Sequence, residues 1–342
     1  MKEIQKSGDG VAYALLCNNR KTRLESSSGG AFTVFSDIIL HKGGVIAGAV
    51  FDEKMNVVHK IAKTPDERDA MRGSKYIQSD AHAVWNEILD YLENDSYVMF
   101  TGTPCQVDAL KSLADIKGIR TDKLHTVDLI CHGVPSPKIN RELFSQLSGN
   151  GKKLVGYSYR SKKKGWHAHF EEAKYEGGIK ESRRGRWLAY SNILLFEKYY
   201  TNRQCCCECP YCDTNRVSDL TIGDAWGIEK FAPEIDDNIG ISLVLVNTEK
   251  GAQLMGRAED SAKIYKFRLD DFMQPRLNKI PCPKPEKKEE FWDYYERNGY
   301  LKMLRKYAGY GMKGRLLYYT KVILRRIGVS KYLKQILRGR SQ

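Results

Sequence analysis

Residues 97–106 read YVMFTGTPCQ and residues 125–137 read HTVDLICHGVPSP. Both follow one plan. A short run of strand-forming residues enters a tight loop that carries glycine, proline and a cysteine, and a helix follows; in the second copy Ser136 can cap that helix and Pro137 can begin it. Strands alternating with helices in this way predict a mixed α/β domain with several strands buried on both faces. Loops at strand ends are where such folds place functional groups, so Cys105 and Cys131 become candidates. Taken singly, either is as readily a small buried hydrophobe.

The same pattern extends outward. VAYALL (11–16) reads as a strand, ESSSGG (25–30) as a turn, and residues 31–42 as a helix closed by Gly43 and Gly44. VIAGAVF (45–51) and NVVHKIAK (56–63) read as strands paired around a DEKMN turn. TPDE at 64–67 combines a cap residue, a proline in the first helical position and an acid three residues after the cap, which predicts a helix start. A second helix follows over AHAVWNEILDYLEN (81–94), and another runs from the TPC loop through Leu110. KLVGYSYR (153–160) and WHAHFEEAKY (166–175) predict a hairpin across the basic turn SKKKG, and residues 187–200 a helix. VSDLTIGDAWG (217–227) is a strand and turn, and ISLVLVNTEKG (241–251) a buried strand entering a helix. Past Phe267 the pattern loosens, and PCPKPEKKEE (281–290) reads as a surface connection in which Cys282 is given no role. The expected division is a main domain over residues 1–265 and a connector with a helical tail over 266–342.

A chain of 342 residues with 42% apolar and 29% charged composition can bury a sizeable core. Its longest apolar runs fall far short of the ~20 residues that cross a bilayer, and no leader is evident, so a cytoplasmic location is expected. The net charge of +14 is unevenly spread: residues 313–340 carry nine Lys or Arg and no acid. That distribution argues against nucleic acid as the partner. With leucines and isoleucines at helical intervals, the tail has the composition of a basic amphipathic surface helix, suited to an anionic membrane face or an acidic protein, or packed on the domain with its charges solvated.

RQCCCECPYC (203–212) holds five of the nine cysteines. An odd count, adjacent cysteines and a reducing compartment all disfavour disulfides and favour metal ligation. Cys206 and Cys209 have the two-residue spacing that presents two thiolates to one metal. With Cys105 and Cys131 they make a four-thiolate set that satisfies a tetrahedral zinc or a four-iron cluster. Cys209 and Cys212 form an equally good chelating pair. Spacing alone leaves the metal open, and a zinc-stabilised domain that binds an anionic surface or nucleic acid without catalysis stays as an alternative, beside a cofactor-bearing scaffold in a membrane-associated biosynthetic complex.

The segments SSSGGAF (26–32), RGSKYIQS (72–79), FTGTPCQV (100–107), VDLICHGVPSP (127–137), KKKGW (162–166), CxxCPY (206–211) and RVSDLTIGDAWG (216–227), in that order, resemble the coenzyme F420 hydrogenase/dehydrogenase beta-subunit family of iron–sulfur flavoproteins. The resemblance implies an oxidoreductase holding FAD beside a 4Fe-4S cluster on Cys105, Cys131, Cys206 and Cys209, the last two being selected by their distance from Arg216. It favours a flavin role for Ser27, Ser28, Gly29 and Gly30, which precede a helix N-terminus able to receive a diphosphate. Gly73, Ser74, Lys75 and Tyr76 offer a cation, a hydroxyl and a ring for phosphate and isoalloxazine. Thr101, Gly102 and Thr103 lie beside the Cys105 loop, within reach of both cofactors. Lys162, Lys163, Lys164 and Trp166 are expected to bind an acidic substrate or donor protein, or to be a solvated hairpin tip. His132 reads as a packed loop residue, and Asp219, Asp224 and Trp226 as holding the loop near the cluster. Ala225 replaces the family's usual aromatic residue. Residues 1–25 lack the cysteine-rich, ferredoxin-like segment of many relatives, which implies an external ferredoxin or other redox partner together with a small-molecule substrate.

Overall fold

The computed structural model describes residues 4–149, 151–168, 170–178, 181–312, 314–316 and 320. They fall into two compact units, one formed by Met1–Lys180 with Asn202–Pro283 and the other by Glu181–Thr201 with Lys284–Gln342. The division differs from a boundary at residue 265. That position lies inside a strand of the first unit, which hydrogen-bonds along its whole length to the strand at residues 11–17. Most of the basic tail lies outside the described residues.

The first unit is built on an eight-stranded sheet. Its strands, in chain order, are β1 (Val11–Cys17), β2 (Val45–Phe51), β3 (Val57–Ala62), β4 (Val98–Gly102), β5 (Leu124–Leu129), β8 (Leu220–Asp224), β9 (Ser242–Val246) and β10 (Ala262–Arg268); β6 (Leu154–Ser161) and β7 (Phe170–Tyr175) pair apart as a hairpin. The spatial order is β10-β1-β9-β8-β5-β4-β2-β3. Strands β2, β4, β5 and β8 are parallel neighbours, whereas β1 pairs antiparallel with both β10 and β9, β9 with β8, and β3 with β2. Because β1 and β8 are both antiparallel to β9, they run in the same sense. The C-terminal ends of β1, β2, β4, β5 and β8 therefore share one edge of the sheet.

The period-2 alternation of strands decides the layers. Tyr13, Leu15 and Cys17 of β1 face one core with Phe35 and Ile39, while Ala12, Ala14 and Leu16 face another with Leu243 and Leu245. Helices α1 (Arg20–Glu25), α2 (Ala31–Leu40), α3 (Pro65–Asp69), α4 (His82–Glu93), α5 (Pro104–Ile116), α6 (Pro137–Leu147) and α8 (Glu249–Gly256) surround the sheet. Val34, Phe35 and Ile39 of α2 and Leu254 and Met255 of α8 fill the first core; Val84 and Ile88 of α4 and Val107 and Leu110 of α5 pack with Val98 and Phe100 of β4 in a third. Helix α3 begins as its sequence predicts, with the Glu67 N–H donating to Thr64 Oγ1 (3.3 Å) and the Thr64 N–H to Glu67 Oε2 (3.2 Å). Helix α5 runs past Leu110 to Ile116 because Leu110 and Ala114 continue its buried stripe.

The second unit contains α7 (Arg183–Glu197), α9 (Lys288–Asn298) and α10 (Tyr300–Ala308). Phe291 stacks on Tyr200 at 5.0 Å and meets Tyr307 edge-on at 5.1 Å, and the Tyr300 hydroxyl donates to Asn192 Oδ1 (3.0 Å). Among the described residues no helix is long and apolar enough to cross a membrane.

Candidate functional site

Each candidate cysteine sits just past the C-terminal edge of the sheet or on the loop that covers it. Cys105 is the second residue of α5. Pro104 opens that helix, and Gln106 folds back so that its Oε1 accepts from the Thr103 N–H (3.0 Å). Cys105 is exposed, with Thr103 Oγ1 3.2 Å from its Sγ. Cys131 follows β5 and is half-buried. Burial pushes its thiol far above the ordinary range, and the nearby sulfurs of Cys105, Cys206 and Cys209 add to the rise. The other three expected ligands therefore lie within electrostatic reach of Cys131. The four are not drawn into a ready chelate: among the described residues no group of three or more His, Cys, Asp or Glu stands at metal-binding spacing. Of the remaining cysteines in the loop, Cys205 is exposed, Cys207 half-buried and Cys212 buried.

Several contacts that the sequence pattern does not reveal fix the cysteine loop. Tyr211 Oη donates to Asp108 Oδ2 (2.6 Å), tying the loop to α5 one turn after Cys105. Arg216 donates through Nη1 to the Tyr211 carbonyl (2.7 Å) and through Nη2 to the Leu129 carbonyl (3.0 Å), two residues before Cys131. Its Nη2 also stands 3.0 Å from Asp128 Oδ2, an ion pair whose side chains are 1% and 0% exposed. Burial raises the Asp128 carboxyl and Arg216 opposes the rise. A carboxylate in the middle of the apolar run VDLI requires such a partner, and that requirement was a legible signal. Residues 279–282 cross the same loop, with the Lys279 N–H donating to the Cys212 carbonyl (2.6 Å) and the Cys282 N–H to the Cys206 carbonyl (3.1 Å). Cys282 is buried, at 4% exposure, rather than lying on a surface connection.

Along the same edge, the two glycine patches meet. The Ser74 N–H donates to Ser27 Oγ (2.7 Å). Gly29 is pressed against the sheet: a Cβ there would fall 2.1 Å from the Leu15 carbonyl oxygen and 2.4 Å from the Ser242 nitrogen, so sheet packing alone demands glycine at this position. Gly30 caps α2 at φ +92°, and Ser28 Oγ donates to the Ile241 carbonyl (2.6 Å). Gly73, at φ +90°, has open space where a Cβ would point. Lys75 is half-buried, and its ammonium donates to the Met71 and Gly73 carbonyls (3.1 Å each). Burial lowers its pKa to about 8, and no carboxylate among the described residues offsets that fall. Tyr76 packs on Tyr159 with centroids 5.1 Å apart. Thr101 accepts from His59 Nε2 (3.0 Å) through its carbonyl, and a Cβ on Gly48 of β2 would touch both Met71 Sδ (2.8 Å) and Thr101 Cγ2 (3.2 Å), which places the Met71 side chain against β2 and β4.

The β6–β7 hairpin supplies the rest of this edge. Lys162 turns inward, donating to the carbonyls of Arg23 and Ser28, and burial lowers its pKa to about 7. Lys163 pairs with Glu172, and Lys164 lies 4.4 Å over the Phe170 ring, so the basic turn is neither a uniform tip nor a three-cation patch. Asp224 accepts from Arg160 Nη1 (2.8 Å) and Trp166 Nε1 (3.0 Å), and Trp226 stacks on Trp166 at 4.7 Å. These two residues hold the hairpin rather than the cysteine loop. Asp219 lies at the opposite end of β8, where it accepts from Thr126 N (2.8 Å) and Thr248 Oγ1 (2.6 Å). His132 is a packed loop residue whose ring burial lowers its pKa.

A cavity of about 610 Å³ opens beside α5, lined among others by Val57, Ile77, Ser79, Trp85, Gln106 and Asn140. Gln106 reaches it while holding the Cys105 turn, its Nε2 donating to Ser79 Oγ (3.0 Å). A second cavity of about 370 Å³, lined by Asp95, Arg120 and Lys123 among others, lies at the opposite edge of the sheet and contains no cysteine.

The chain resembles a chain of the F420-reducing NiFe hydrogenase complex from Methanosarcina barkeri in fold, with a TM-score of 0.50 at 17% identity, covering 76% of this chain and 82% of that one. No curated protein matches it. The family model that describes the C terminus of the coenzyme F420 hydrogenase/dehydrogenase beta subunit matches residues 95–271, which include Cys105, Cys131 and the whole 203–212 loop. With more than half of its length matched, the chain belongs to the coenzyme F420 hydrogenase/dehydrogenase beta-subunit family, a family of oxidoreductase subunits.

Proposed function

We propose that the protein is an iron–sulfur flavoprotein oxidoreductase, exchanging electrons between a small organic substrate and a protein redox partner. The observation that carries this reading is the composition of one sheet edge, which holds four thiols from three loops together with Lys75 and Lys162, whose ammonium groups turn inward onto the carbonyls of Met71, Arg23 and Ser28. The donor set fits a 4Fe-4S cluster, with Cys105, Cys131, Cys206 and Cys209 as its ligands. The lysine side fits the diphosphate of FAD, with Lys75, Lys162 and the N-terminus of α2 supplying positive charge and Ser27, Ser74 and Gly73 the close, small-residue approach. A flavin accepts two electrons as hydride and releases them singly to a cluster. The chain's contribution is to position and insulate. Arg216 and Tyr211 hold the cysteine loop against α5 and β5, while Asp224 holds the hairpin that carries Lys162.

The 610 Å³ cavity lies within the range of small-molecule sites and is our candidate for the substrate cleft. A deazaflavin is the first substrate to try, tested in its reduced form as electron donor, because the complex that contains the structural relative is F420-reducing. Nine free thiols suit a reducing, cytoplasmic compartment, and an external ferredoxin is the proposed partner. In an anaerobic titration of the flavin-loaded protein with a reduced deazaflavin or NADPH, the flavin absorbance is expected to bleach as a paramagnetic cluster signal grows. Bleaching with no cluster signal would overturn the proposed electron path.

A further inference from the structure

We infer that Cys282 is a positioning residue that locks two ligand-bearing loops together without being a ligand itself; this rests on the cluster reading above. Its thiol donates to the His132 carbonyl oxygen (3.1 Å), the residue next to Cys131, while its backbone N–H donates to the Cys206 carbonyl (3.1 Å). One residue thus joins the Cys131 loop through its side chain and the Cys206 loop through its main chain. Asn202 completes the lock. Its Nδ2 donates to the same His132 carbonyl (3.2 Å) and lies 3.7 Å from Cys282 Sγ, and its backbone bridges to Pro135. The packing leaves no slack: at Gly133, with φ +91°, a Cβ would fall 2.3 Å from Asn202 Nδ2 and 2.8 Å from Cys282 Sγ. The His132 carbonyl accepts from both side chains, so losing the Cys282 donor removes one of the two bonds that hold the loop presenting Cys131 and leaves Asn202 to hold it alone.

The roles of ligand and lock separate under substitution. Serine keeps an O–H able to donate to the His132 carbonyl but is a poor cluster ligand, whereas alanine removes the donor. In anaerobically purified protein, Cys282→Ser is expected to hold as much iron as the wild type. Cys282→Ala is expected to release iron to a chelator about fivefold faster, the factor that one net hydrogen bond contributes, with altered g-values of the reduced cluster. Loss of iron in Cys282→Ser would make Cys282 a ligand and overturn the inference, as would wild-type release from Cys282→Ala. Hydrogen exchange of metal-free protein tests the lock even if the cluster reading fails. Faster exchange of the amides of Gly133 and Val134 in Cys282→Ala, restored in Cys282→Ser, supports it, and equal exchange in all three proteins contradicts it.

Discussion

The two halves of the functional edge present opposite chemistry with one physical cause. At the cysteine half, burial raises thiols, Cys206 to about 11 and Cys131 further still, which favours their protonated form. At the lysine half, burial lowers ammoniums, Lys75 to about 8 and Lys162 to about 7. Desolvation disfavours the charged form in both places. A cation would relieve the first half and an anion the second. Desolvation thus dominates in both halves, outweighing Asp224 and Asp237 at Lys162, and the proposed cluster and phosphate-bearing cofactor would each supply the charge that offsets it.

The largest effect should come from Arg216, whose removal strands the fully buried Asp128 and unties the cysteine loop. Arg216→Met is expected to cost about 3–5 kcal/mol in denaturant unfolding and to abolish iron binding. Next is the ligand set. Cys131→Ser should lose the cluster while Cys205→Ser retains it, and full iron in Cys131→Ser would show that the ligands are wrongly assigned. At the lysine half, Lys75→Met should weaken FAD by about ten- to a hundredfold, the contribution of a charge-assisted hydrogen bond, while leaving the iron content unchanged. Equilibrium dialysis or fluorescence of bound FAD would measure it. The smallest effects are the pH responses, and they should run in opposite directions. Metal must displace protons from raised thiols, so the affinity for Co²⁺ as a probe should increase with pH across the neutral range. An anion is held only by charged lysines, so FAD affinity should decrease as pH rises through 7 to 8, the window set by Lys162 and Lys75.

The strand–loop–helix plan at 97–106 and 125–137 was readable because strand-formers, Gly/Pro turns and helix starts are local signals, and β4–α5 and β5–α6 follow it. The hairpin and the β2–β3 pair were equally legible. Less so were features decided by distant partners. Asp224 and Trp226 belong to the 160–166 hairpin and Asp219 to the far end of β8, assignments that no local pattern distinguishes. Gly29 looks like part of a ligand loop in sequence, yet the backbones of β1 and β9 demand it. The Pro- and Lys-rich neighbours of Cys282 indicate exposure, and only the crossing of 279–282 over the cysteine loop buries it. The two lysines of the edge lie 87 residues apart, and their shared desolvation is invisible without the fold.

The most direct test is what the protein carries when purified without oxygen. A flavin spectrum with a broad cluster shoulder and about four iron atoms per chain is the predicted result. A colourless protein with a single zinc per chain would contradict it.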